Sequence, residues 1–94
     1  MSGIRALTVY FEDRTVTIEG RQAWALKELI AAGQAGCTPL THPGPRWSDY
    51  VFKLRRQGLA IETVTETQGG TYAGHHARYV LSTPVSVIEM WEAA

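Results

Sequence analysis

Nine side chains in this sequence have the types and places needed to hold a phosphate backbone and to read the edges of bases: Arg46, Ser48, Asp49, Lys53, Arg55, Arg56, Tyr72, His75 and Arg78. An arginine can bond guanine through two parallel hydrogen bonds, and Arg46 falls in the first turn of a helix predicted below. Lys53, Arg55 and Arg56 suit phosphates, which position a protein on a duplex without reporting sequence. Tyr72 and His75 sit in a glycine-rich stretch whose backbone can approach another surface closely. Arg78 follows them and could reach a phosphate or a minor groove. Tyr72 reads equally as a contact or as local packing, and the basic cluster reads also as the solvated face of a helix.

Other chemistries find less support. His42, His75, His76 and Cys37 match no metal-ligand spacing, and adjacent histidines seldom share one tetrahedral ion, so neither a metal nor a cofactor is expected. No Ser/His/Asp or Cys/His arrangement is evident, and Gly69-Gly70 lacks the lysine and hydroxyl residue of a phosphate loop. The sequence is read as that of a non-enzyme.

The elements that must position these residues follow from period and punctuation. Leu7 to Phe11 is β-branched and aromatic, Thr15 to Glu19 alternates, and Glu12-Asp13-Arg14 lies between, which predicts an N-terminal β-hairpin over 1–19. Ala23, Trp24, Leu26, Leu29 and Ile30 recur at helical spacing, with Gly33 and Gly36 as stops, so a helix is predicted over 21–32. Pro39, Pro43 and Pro45 leave room for only a brief strand or one helical turn. A second helix is predicted over 45–57, ended by Gly58, with Trp47, Val51 and Leu54 on its core stripe, Tyr50 beside them and Phe52 pointing away. Strands are expected at 59–65 and 77–81, with a long polar loop between them, the candidate contact region being 68–76. Thr83 and Pro84 look like a helix start, and Val85, Ile88 and Trp91 are spaced for a short C-terminal helix over 83–94. The order is α+β: hairpin, helix, turn, helix, strand, loop, strand, then a short helix.

With 94 residues, one domain over 1–94 is expected, divided as 1–19, 20–82 and 83–94. The 45% hydrophobic content supports one modest core, and a chain this short has little room for a deep catalytic pocket. Nine basic residues balance nine acidic ones. The balance is uneven along the chain: residues 45–79 carry five basic groups against three acidic, whereas 80–94 carry two acidic groups and no basic one. The single cysteine, Cys37, excludes an intramolecular disulfide and suits a reducing interior as a small buried hydrophobe. No membrane-spanning run and no export signal are evident, so a cytoplasmic protein is expected.

The run from Leu54 to Thr63, LRRQGLAIET, resembles the recognition-helix-to-wing junction of winged-helix DNA-binding proteins. More widely, Trp24 to Leu81 is similar to small single-domain winged helix-turn-helix proteins of bacterial and phage-derived genes. The pieces that match are Trp24-Ala25-Leu26, Gly36-Cys37-Thr38-Pro39, Pro43-Gly44-Pro45-Arg46 and His76 to Leu81. The N-terminal hairpin resembles the sheet before the first helix in response-regulator effector domains. This resemblance implies binding to double-stranded DNA, with Arg46, Ser48, Lys53 and Arg56 in the reading position, 68–76 as a wing, and a role in transcription regulation. A homodimer is expected, because one such domain alone gives limited affinity. Three features depart from the family pattern: the short proline-rich middle segment, the zero net charge and the outward Phe52. The last two motivate a rival reading, a protein-interaction module that keeps the fold without the DNA function, such as an adaptor or a piece of a phage assembly.

Overall fold

The computed structural model describes residues 3–44, 46–68 and 74–92. Strands β1 (Ile4–Phe11) and β2 (Arg14–Glu19) come first, followed by helix α1 (Arg21–Ala32) and a 3-10 turn at Gly33–Ala35. Helix α2 (Trp47–Arg56) precedes β3 (Ile61–Gln68), β4 (Gly74–Leu81) and β5 (Ser86–Glu92). The strands form two sheets, one in the order β2-β1-β5 and one pairing β3 with β4.

β1 and β2 are antiparallel, and Phe11 lies opposite Arg14. The two residues between them, Glu12 and Asp13, have φ of 50° and 60°. Positive φ at both positions gives the turn whose twist matches the strands it joins. Leu7, Val9, Phe11 and Ile18 are buried. They face α1, which buries Ala23, Ala25, Leu26 and Leu29. The alanines allow close approach while the leucines supply apolar area. Exchanging either leucine for alanine would cost about 2–5 kcal/mol.

The proline-rich segment folds as one helical turn beside one bridge. The His42 amide donates to the Thr38 carbonyl at 2.9 Å, and the Thr38 hydroxyl accepts from the amides of Leu40 and Thr41 at 3.1 and 3.0 Å. Just before it, Cys37 exchanges both backbone bonds with Tyr79, at 2.9 and 2.8 Å, so this point of the chain joins β4 on the edge that β3 leaves open. Gly36 makes that approach possible. Its φ is +72°, and a Cβ there would lie 2.6 Å from the Tyr79 carbonyl oxygen.

Two expectations are corrected. The C-terminal helix over 83–94 does not form. Ser86–Glu92 is a strand, paired antiparallel with β1 from Ile4↔Glu92 to Tyr10↔Ser86. Val85, Ile88 and Trp91 fit a helical spacing, but Val87 and Met90 fill the gaps between them, and β-branched residues favour the extended form. The free edge of β1 supplies the backbone partners that a single short helix could not match. The loop between the last two predicted strands is also shorter than expected. The β3–β4 ladder runs from Ile61↔Leu81 to Gln68↔Gly74, so the backbone of His75 and His76 is strand rather than loop. Cross-strand bonds from Glu66 to His76 and Arg78 extend the pairing outward. Tyr72 lies outside the described residues, as does Pro45, the expected first residue of the second helix.

Candidate nucleic-acid interface

α2 is fastened from its inner side. Trp47, Tyr50, Val51 and Leu54 are all buried, as their stripe predicts. Trp47 is the centre of the attachment. Its ring lies 5.4 Å from Trp24 of α1, stacks on Tyr79 of β4 at 6.0 Å, and meets Tyr50 edge-on at 6.3 Å. Its indole N–H donates to the His42 carbonyl at 2.6 Å, which satisfies the one polar atom that burial would otherwise strand. Arg21 covers this cluster from α1, with its guanidinium 4.4 Å from the Trp24 ring centroid and 5.9 Å from that of Tyr50. One aromatic group thus ties α2 to α1, to the proline-rich turn and to β4.

The far end of α2 is held as well. Gly58, at φ +102°, turns the chain out of the helix beneath the Arg14 side chain, which a Cβ would strike. Arg14 donates to the Gln57 carbonyl at 2.8 Å, tying the start of β2 to the end of α2.

The outer side of α2 carries Arg46, Ser48, Phe52, Lys53 and Arg56, all exposed, with Asp49 half-buried. Lys53 pairs with Asp49 at 3.1 Å one turn back. Both partners are solvated, so the pair contributes only about 0.3–0.5 kcal/mol and opens readily. The Arg56 guanidinium lies 5.8 Å from the centroid of the Phe52 ring. Lys53, Arg55 and Arg56 also stand in the last turn, where cations complement the helix dipole.

Two arginines of the sequence-predicted set are engaged within the fold. Arg55 donates to the Ile61 carbonyl from Nη2 at 2.6 Å and from Nε at 3.2 Å, and to the Thr63 hydroxyl at 2.9 Å. Arg78 donates to Glu66 Oε2 at 2.9 Å and to the carbonyls of Gln34 and Ala35 at 3.3 and 3.4 Å. Glu66 also holds His76, at 3.3 Å. The side chain of His75 is outside the described set, and only its backbone pairing with Thr67 is seen.

Two residues that spacing alone did not select join the basic face. Gln22, in the first turn of α1, and Gln57 line a shallow hollow with Lys53 and Arg56. Two cations and two amides around one depression are suited to a phosphate group. Gln22 is not among the buried residues of α1, and only the packing of α1 against α2 brings it beside Lys53.

Cys37 is wholly buried, and its thiol is pushed up to about 11, first by burial and then by the nearby Glu28 carboxylate. It is held as a neutral thiol. Among the described residues no three His, Cys, Asp or Glu side chains gather as a metal site, and no helix is long and apolar enough to cross a membrane.

A family model described as a winged helix domain matches residues 15–91. No curated protein and no solved structure matches the chain.

Proposed function

The chain belongs to the winged helix domain family, and from that membership we propose that it binds double-stranded DNA through the outer face of α2. The carrying observation is the division of α2. Trp47, Tyr50, Val51 and Leu54 fasten it inward, while Arg46, Lys53 and Arg56 stand exposed on the other side. A helix so held can enter a major groove about 12 Å wide without losing its packing. Arg46 and Ser48 serve the base edges, and Lys53 and Arg56 serve the phosphates, with Gln22 and Gln57 completing one phosphate seat. Arg55 and Arg78 act inside the fold, as braces for α2 and the β3–β4 hairpin. That hairpin is the wing, and it approaches the backbone or the minor groove beside α2. The protein works without catalysis as a small cytoplasmic transcription regulator, and two copies bind together.

The test is a titration of the purified chain with random and genomic duplexes over a range of salt. Phosphate attraction is strongest at low salt, so binding is expected at about 50 mM and should weaken steeply above it. Absence of binding at that concentration overturns the reading.

One observation favours a second reading, an interaction module. Every residue of β5 is exposed, and Val87, Ile88, Met90 and Trp91 lie along it. An apolar strand of this kind suits pairing with another protein chain. On that reading the protein forms a defined complex and gives no response to DNA.

A further inference from the structure

Phe52 is the most exposed aromatic side chain of α2, at 57%. It is also placed where a reading helix goes deepest. At about 100° per residue, the line opposite the buried quartet of Trp47, Tyr50, Val51 and Leu54 runs along Asp49, Phe52 and Arg56. Phe52 stands midway along the helix on this ridge. The fold makes no use of its ring as core, since the aromatic packing of α2 is completed by Trp47 and Tyr50.

A phenylalanine ring offers no conventional hydrogen bond to a base. Set against a guanine, cytosine or adenine edge, it would desolvate donors and acceptors and give nothing in return. The major groove presents one apolar group, the C5-methyl of thymine. The surroundings of the ring suit the same ligand. Arg46 precedes the helix, Arg56 lies 5.8 Å from the ring centroid, and Lys53 adjoins Phe52 in sequence. The acidic neighbour on the ridge, Asp49, is paired with Lys53, so these two charges offset one another and the cation beside the ring is that of Arg56. An apolar centre with a guanidinium at its side complements a base edge that is flanked by phosphates. The apolar strand β5 differs in this respect, carrying Glu89 and Glu92 and no cation.

We propose that Phe52 is a specificity-determining residue that reads the C5-methyl group of a thymine in the major groove. This rests on the DNA-binding reading above and adds a preference to it.

The experiment begins by selecting, from a pool of random duplexes, the sites that the wild-type chain binds. In the best site each thymine is then replaced singly by deoxyuridine, which removes the methyl group and leaves the pairing and the groove's donors and acceptors unchanged. Affinity is read by fluorescence anisotropy at one salt concentration. One or two positions are expected to weaken wild-type binding about fourfold, the value of one buried methyl carbon. Phe52→Ala should bind the thymine site more weakly and make no distinction between thymine and deoxyuridine at those positions. Phe52→Leu should keep part of the distinction. Both variants should melt with the wild type, because the side chain is outside the core. If the wild type binds the selected site equally well with each thymine replaced, the assignment of Phe52 is overturned while DNA binding stands. A Phe52→Ala variant that discriminates as the wild type does overturns it too. If no duplex is bound at all, both the assignment and the reading beneath it fall.

Discussion

Arg55 reaches from the last turn of α2 to the carbonyl of Ile61, 2.6 Å away, and so fastens the end of the helix to the first residue of β3. A guanidinium that bonds a strand carbonyl twice and a threonine hydroxyl once has few donors left for a ligand. Arg55→Ala is therefore expected to act on stability, lowering it by about 1–2 kcal/mol. The chemical denaturation midpoint checks this. The salt dependence of DNA binding should stay as in the wild type.

Lys53 and Arg56 should behave in the opposite way. Each is exposed on the outer side of α2. Lys53→Ala and Arg56→Ala are expected to leave the melting temperature nearly unchanged and each to reduce the slope of log affinity against log salt by about one per bound copy. Titrations at four or five salt concentrations measure that slope. A slope that is the same in both variants as in the wild type removes these residues from the phosphate contacts.

Cys37 gives an alkaline signature. Its thiol ionises near 11 in the folded chain and near its ordinary value of 9.0 once unfolded. Below pH 9 both states hold the proton, and the contribution of the neutral buried thiol to stability is fully present. Between pH 9 and 11 the unfolded thiol loses its proton while the folded one retains it, so stability falls as pH rises through that window. Comparing denaturation midpoints at pH 8 and 10.5 in wild type and Cys37→Ala should show a smaller alkaline loss in the variant. A thiol reagent at pH 8 should react with Cys37 only on unfolding.

The exposed strand β5 bears on assembly. Ile88 is 60% exposed and lies at the register shift in the β1–β5 pairing, where Thr8 is opposite Glu89 and Val9 opposite Val87. If two copies pair along β5, Ile88→Glu should shift the sedimentation profile from dimer to monomer. The melting temperature extrapolated to low concentration should change little, since surface substitutions fall within about ±0.5 kcal/mol. An unchanged profile would place the contact elsewhere.

The helices were the most legible part of the fold. α1 ends at Ala32, where Gly33 interrupts the apolar period, and the inward stripe of α2 matches its alternation of bulky apolar and charged residues. The C-terminal strand was not legible, because Val85, Ile88 and Trp91 satisfy a helical period and the deciding fact, an open edge on β1, lies some eighty residues away. The candidate site was legible as a list of basic residues but not as a division among them. Arg55 and Arg56 are neighbours of the same type, yet one bonds Ile61 and the other lies over Phe52. Sequence spacing gives their angular positions on α2, but the course of the chain after Gly58 decides which arginine meets a carbonyl. Gln22 was missed for a similar reason, since a polar residue on one helix gains meaning only from its neighbour on another.

The attachment of α2 through Trp47 also bears on how this domain can change. Trp47 touches Trp24, Tyr79, Tyr50 and the His42 carbonyl, and none of these contacts involves Ser48, Asp49, Phe52, Lys53 or Arg56. If the outer face of α2 reads DNA, substitution of the outward set alters what the helix prefers without disturbing what anchors it. The scaffold is accordingly separable from its outer face: a library randomised at those five positions should yield mostly folded members.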